Sequence, residues 1–323
     1  MEIIAISDLH GYLPELEPFD LLLIAGDIVP IDCMDVHSQQ EWLFNEFVPW
    51  INKLPYQNVW SRVVMTPGNH DEVFQRMSSM KWLLLSKTSA RLRVLIHEYY
   101  EFSYLDGNID KYIKIFGTPY CHQFGNWAFM PSDELIRNYF KNIPENLDIL
   151  LTHDAPYGCS DQCYSGRSIG KHIGSEPLRE IILEKQPMMC IHGHLHTSNH
   201  EIMNLGKTRV INVSLLNEEY KVSYEPLIFD SYALEVEPIE AYDEEYIFPN
   251  RYGNLIKLVK LGCDWELQGN LAYANCGYED DPKNLKYIDP DGGPWLSVGA
   301  KWFDFTIKSI KDKNGKIILE IER

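Results

Sequence analysis

Ile191-His192-Gly193-His194-Leu195-His196 follows the apolar run Met188 to Ile191 and puts three imidazoles into five residues. An apolar run of this length, bounded by glycine and polar residues, reads as a buried strand passing into a loop. In extended backbone, alternate side chains point the same way, so the rings of His194 and His196 can face one spot. Two neutral imidazoles converging there suit a transition metal. An isolated His-x-His pair is more simply a solvated turn; here the rest of the chain supplies matching donors at matching positions.

Working upstream, further apolar runs end in the same manner. Glu2 to Ile6 leads into Ser7-Asp8-Leu9-His10-Gly11, and Asp20 to Ala25 into Gly26-Asp27. Arg62 to Met65 leads into Pro67-Gly68-Asn69-His70-Asp71, and Asp148 to Leu151 into Thr152-His153-Asp154. Helical patterns lie between them. Ser38 with Glu41 reads as a capping box ahead of a helix carrying Trp42, Phe47, Val48, Trp50 and Ile51 on one face. Ser132 caps a helix with Leu135, Ile136, Tyr139 and Phe140, and another helix runs near Pro177 to Lys185. Leu92 to Glu98, Tyr112 to Gly117, Arg209 to Val213 and Leu227 to Phe229 read as additional strands. Open α/β sheets bind ligands beyond the carboxyl ends of their strands. The pattern therefore predicts an α/β fold, with a largely parallel or mixed sheet and helices outside it.

The texture changes near residue 232. Glu235 to Glu245 is acidic, and the runs Leu255 to Leu261, Trp265 to Leu267, Trp295 to Val298, Phe303 to Ile310 and Lys316 to Ile321 are short and separated by turn signals. Residues 1–232 are expected to form the site-bearing domain and residues 233–323 a β-rich appendage, whose Trp295 and Trp302 belong to its own core. The chain has 323 residues, seven cysteines and a formal net charge of −18. That charge disfavours a non-specific grip on nucleic acid, which needs clustered cations against phosphates. No apolar run approaches a membrane span, and Met1-Glu2 leads into Ile3 without a basic leader. A cytoplasmic setting with reduced thiols is expected. Cys159 and Cys163 lack a second pair at zinc-finger spacing.

The strand ends supply Asp8, His10, Asp27, Asn69, His153, His194 and His196. Oxygen and imidazole donors together suit Mn, Fe or Zn, and seven donors exceed the needs of one ion. Paired metals about 3.5–4 Å apart clamp the entering and leaving oxygens of an in-line phosphoryl displacement. Asp8-x-His10, Gly26-Asp27, Gly68-Asn69-His70-Asp71, His153 and Gly193-His194-x-His196 resemble, in order, the five-block pattern of the calcineurin-like metallophosphoesterase superfamily. The resemblance implies a double β-sheet sandwich flanked by helices. It implies one metal held by Asp8, His10, Asp27 and His196, and a second by Asp27, Asn69, His153 and His194, with Asp27 bridging. Manganese is the ion expected in vitro. His70 is the expected catalytic imidazole, protonating the leaving alkoxide or stabilising charge on phosphoryl oxygens. Asp71 either orients His70 or caps the turn. The nucleophile expected is a metal-bound hydroxide.

Pro30 stands three residues after Asp27, where purple acid phosphatases carry a tyrosine ligand, and the arginine-bearing extension of Ser/Thr protein phosphatases is missing. The closer likeness is to the small branch of metallophosphoesterase-domain proteins known from brain-expressed members. It lies in Gly117-Thr118-Pro119, Trp127-Ala128-Phe129, Asp148 to Gly158 and Ile211-Asn212-Val213-Ser214. That likeness implies hydrolysis of a small phosphodiester, including a nucleotide or cyclic nucleotide. A phosphomonoesterase of the same fold, and a metal-stabilised scaffold binding a protein partner or a second copy through the appendage, are the alternatives. Tyr120, His122 and Trp127 lie on a loop that can overhang the site and stack a base, and Asn212 can orient a ligating histidine. His192 is expected to face the core.

Overall fold

The computed structural model describes residues 1–162, 171–196 and 202–234 in full and, beyond these, the backbone of strands between residues 244 and 322. Strand alternation sets the layers. In β1 (Glu2–Ile6), Ile3 and Ala5 turn to one face and Ile4 and Ile6 to the other, all fully buried. β2 (Leu21–Ile24) divides Leu21 and Leu23 from Leu22 and Ile24 in the same way. A strand covered on both faces reads as an unbroken apolar run.

β1, β2, β3 (Arg62–Met65) and β4 (Leu92–Val94) lie side by side and parallel. The second sheet contains β5 (Glu98–Asp106), β6 (Ile109–Thr118), β7 (Ile149–Thr152), β8 (Met189–His192), β9 (Met203–Leu205) and β10 (Thr208–Asn212), in the order β5-β6-β7-β8-β10-β9. Within it, β6, β7, β8 and β10 are parallel. β11 (Leu227–Asp230) returns antiparallel to the outer edge of β1. Leu21, Leu23 and Val64 of the first sheet share a core with Ile115, Ile149 and Ile191 of the second, so the sheets pack face to face. The outer face of the first sheet is covered by α1 (Val36–Trp42), α2 (Val48–Lys53), α3 (Glu72–Arg76) and α4 (Met80–Lys87). α5 (Asp133–Phe140) and α6 (Glu176–Lys185) cover the outer face of the second through Ile136, Phe140, Leu178 and Ile182. The fold is the expected double-sheet α/β sandwich.

Two local readings change. The helix expected to start at Ser38 starts three residues earlier, because Asp35 is the N-cap: its carboxylate accepts the His37 and Ser38 amides, at 2.8 and 3.0 Å, and Ser38 completes the box. The expected strand Leu92 to Glu98 is two strands in different sheets. Its middle leaves the first sheet where Thr66 donates its hydroxyl to the Leu95 carbonyl at 3.1 Å and His97 takes a left-handed φ of 56°.

The chain divides into two compact units, Met1–Glu240 and Ala241–Arg323. In the second, β12 (Glu244–Pro249), β13 (Leu255–Leu261), β14 (Asp264–Gln268), β15 (Ala272–Tyr273), β16 (Tyr287–Ile288), β17 (Lys301–Trp302), β18 (Phe305–Lys313) and β19 (Lys316–Glu322) are all antiparallel. Six of them form a sheet ordered β12-β13-β14-β19-β18-β17. The expected strand Trp295 to Val298, like Cys163, lies outside the described residues. No helix among the described residues is long and apolar enough to cross a membrane.

Leu23 is fully buried between the sheets. Leu23→Ala should lower the unfolding free energy by about 2–5 kcal/mol in urea titrations, whereas Leu135→Ala, on the half-exposed side of α5, should change it by less than about 0.5 kcal/mol.

Candidate metal centre

The parallel strands of both sheets end at one edge, and the candidate ligands stand there. Four of them sit on left-handed backbone: Asp8 at φ 53°, His10 at 42°, Asp27 at 54° and His194 at 70°. Such conformations are uncommon for residues other than glycine and cluster where geometry is over-determined. Hydrogen bonds between adjacent loops hold them, including Asp8 N to Gly26 O and His10 N to Asp27 O, both at 3.0 Å. Gly26, at φ 96°, is required on packing grounds as well, since a Cβ there would lie 2.5 Å from His153 Nδ1.

Three sets of donor atoms converge: Asp8, His10 and His196; Asp8, Asp27 and His153; and Cys121, His153 and His194, with the atoms of each set within 4.8 Å of one another. Asn69 joins through its Oδ1, 3.1 Å from His153 Nε2. The imidazole orientations are fixed from behind. His153 donates Nδ1–H to the Ala25 carbonyl at 2.7 Å, and His196 donates Nδ1–H to the Asn217 carbonyl at 3.0 Å. A carbonyl can only accept, so each ring presents Nε2 to a carboxylate: His153 to Asp27 and His196 to Asp8, both at 3.3 Å. His10 differs. Both of its ring nitrogens are buried with no hydrogen-bond partner, and burial lowers its pKa to about 4 against the pull of Asp27 and Asp8. A neutral, unpartnered buried imidazole needs an explanation, and ligation supplies one. This donor set fits divalent transition-metal ions.

Burial opposes charge on His153, but Asp27 overrides it and raises the pKa to about 10; Asp8 raises that of His196 likewise. Both carboxylates are held below their ordinary range despite burial, by His196 for Asp8 and by His153 for Asp27. Burial and the neighbouring His153 lower His194 to about 4, leaving it neutral.

His70 donates its backbone N–H to Asp27 Oδ1 at 2.7 Å, and its carbonyl accepts from the buried Gln39 amide at 2.9 Å. Its ring stands edge-on to His10, with centroids 4.9 Å apart, and under Trp127 at 4.5 Å. Asp71 is turned away to backbone. Oδ1 accepts the Ile28 and Val29 amides at 3.0 and 3.1 Å, and Oδ2 accepts Gly68 N at 2.8 Å. It clamps the loop after β2 to the loop after β3. Burial and Asp27 push its carboxyl up to about 7, against its amide donors.

The overhanging loop splits. His122 reaches the site, its Nδ1 2.9 Å from Asp154 and its ring 6.4 Å from that of His194. Tyr120 does not join it: its ring stacks on Tyr139 at 4.6 Å and packs into the core beside α5, a better apolar contact than an exposed loop provides. Asn212 donates to the Leu195 carbonyl at 2.7 Å and accepts from Ser214 N at 2.9 Å, tying the histidine loop to the segment after β10. His192 is fully buried as expected, although it is in phase with His194 and His196, because it is the last residue of β8, a strand buried along its whole length. The sequence reading missed Cys121, Asp154, Ser214, Phe124 and Tyr220. Ser214 donates to Asp8 Oδ2 at 2.5 Å, yet it lies 206 residues from Asp8, and no local pattern marks it.

Asp27 keeps His153 protonated and Asp8 favours the proton on His196, and each ring must be without its Nε2 proton before it can ligate there. Manganese loading at pH 7 should therefore release about one proton per chain from His153, with any further release coming from His196, measured by calorimetry in buffers of different ionisation enthalpy. Apparent affinity should rise with pH, because protons compete for the same nitrogens. Zero release would show that the rings are already neutral.

A sequence model described as calcineurin-like phosphoesterase matches residues 1–198. A UPF0046 protein of Caenorhabditis elegans is 28% identical over 269 residues, 76% of this chain, and the chain spans 62% of that relative's length. Metallophosphoesterase domain-containing protein 1 of Homo sapiens is 24% identical over 247 residues, covering 70% of each chain. Among solved structures, TT1561 of Thermus thermophilus is 15% identical with a TM-score of 0.44, covering 65% of this chain and 88% of that one. The family match runs from before Asp8 to beyond His196, and with it the chain belongs to the calcineurin-like phosphoesterase family, whose chemistry depends on two metal ions.

Proposed function

We propose that this chain hydrolyses a small phosphodiester, such as a nucleotide or cyclic nucleotide ester, with two divalent cations, manganese in vitro. Asp8, His10, Asp27 and His196 would hold one ion, and Asp27, Asn69, His153 and His194 the other. What carries the reading is the convergence of these side chains from strand ends of both sheets, with the His70 ring 4.9 Å from that of His10. When bound, such a pair of cations supplies Lewis-acid charge and activates water near neutral pH.

The chain's own residues do the rest. Trp127 and the Gln39 bond to the His70 carbonyl restrict the His70 ring to the site edge. From there His70 can give a proton to the departing alkoxide, which makes its loss costly for poor leaving groups. Asp27, which would help hold both ions, accepts the His70 amide and so fixes the position of that backbone beside the ligand set. Diester chemistry is favoured over monoester chemistry by the rim of the site, where Trp127 and Phe124 present rings rather than additional cations to a second phosphate charge.

With manganese-loaded protein, bis-p-nitrophenyl phosphate should be cleaved faster than p-nitrophenyl phosphate. Asp27→Ala should abolish turnover, and His70→Ala should lower it by about 10²–10⁴-fold. Preference for the monoester would assign the site to phosphatase chemistry; metal-loaded protein with no turnover of either would leave a scaffold.

A further inference from the structure

Three large rings are exposed around the centre, and each touches a different part of the histidine cluster. Trp127, 48% exposed, lies 4.5 Å from His70, and Phe124, 54% exposed, lies 5.2 Å from His194. Tyr220, 43% exposed, stands edge-on to His10 at 5.0 Å and to His196 at 5.2 Å. Apolar surface gathered at the mouth of a polar site marks a contact for something outside the chain.

Tyr220 also sits where a tyrosine is unexpected. It occupies the tip of a hairpin closed by Asn217 N to Lys221 O at 2.9 Å and Tyr220 N to Asn217 O at 2.8 Å. Its φ is 57°, a left-handed position that turns of this kind give to glycine or asparagine. The Asn217 side chain braces the turn by accepting the amides of Glu219 and Lys221 at 2.9 and 3.1 Å. The same Asn217 carbonyl that receives Tyr220 N also receives His196 Nδ1–H, so the turn is fixed to the site. A bulky side chain kept on unfavourable backbone, half-exposed, has a use other than packing.

We propose that Tyr220 is a specificity-determining residue: with Phe124 and Trp127 it forms an aromatic rim that selects phosphoesters carrying a flat ring, a nucleoside base or an aryl group. This rests on the phosphoesterase reading only in taking the centre as the place where the phosphate sits. A planar ring gains stacking on such walls irrespective of its hydrogen-bonding pattern, whereas an alkyl ester gains little.

The test uses calorimetry on the manganese-loaded full chain with thymidine 5′-monophosphate, phenyl phosphate and methyl phosphate. Both ring-bearing esters should bind about tenfold more tightly than methyl phosphate. Equal values for the first two would identify a bare ring as sufficient, and a further gain for the nucleotide would identify the base as the preferred ring. Tyr220→Gly and Phe124→Leu should bring the ratio toward unity, and Tyr220→Phe should keep it. Tyr220→Gly relieves the backbone, so its Tm should not fall. A Tm loss above about 4 °C would make the ring a packing element and overturn the proposal. Equal affinities in the wild type, no binding of any ester, or a ratio unchanged in Tyr220→Gly would overturn it as well. A ring preference without diester turnover would remove the proposed reaction and leave the rim standing; turnover without the preference would do the reverse.

Discussion

Two buried carboxylates, Asp8 and Asp27, stand where the parallel strands of both sheets end, and the packing around them is organised by their charge. An ionised carboxylate taken out of water costs several kcal/mol unless it is compensated. Asp8 is met by the His194 amide, the Ser214 hydroxyl and His196. Asp27 is met by the His70 amide and His153. The compensating groups come from β3, β7, β8 and the segment after β10, so satisfying two acids brings both sheets into register at this edge. The same neutralisation that makes the sandwich tolerable gathers the donors that a metal needs.

Close approach is the second condition. A Cβ on Gly193 would lie 1.9 Å from Ser7 Oγ, and one on Gly68 would lie 2.1 Å from Asp27 Oδ1. Asp71, a third buried acid, directs its oxygens to the amides of Ile28, Val29 and Gly68 and so holds two strand-end loops together. Rigid sheets position the loop ends; glycines and Asp71 bring those ends within ligand distance.

This explains which parts could be read from the sequence. Doubly covered strands leave continuous apolar runs, and these runs are followed within a few residues by an acid, an amide or an imidazole, so the sandwich was legible, and so was the gathering of Asp8, His10, Asp27, Asn69, His153, His194 and His196 at one edge. What failed depended on contacts distant in sequence. Tyr120 could not be told from Trp127 without knowing that Tyr139 would arrive beside it. The ambiguity over Asp71 was resolved by amides more than forty residues upstream. Tyr220 had a signal, a tyrosine in the polar turn Asn217-Glu218-Glu219-Tyr220-Lys221, but only its backbone conformation shows that the choice is costly.

The charge balance also bears on when an anion can bind. When His153 and His196 both carry protons, the two rings face the carboxylates of Asp27 and Asp8, and the four charges cancel. That arrangement satisfies the fold but offers little field to a phosphate. Divalent ions held by the same residues would make the site more positive than protons do, and burial would magnify the effect. A chain with a net charge of −18 repels anions at a distance. Attraction for the proposed phosphoester would therefore be local and conditional on the metal, and the proposed aromatic rim, which carries no charge, would add affinity without adding to that long-range repulsion.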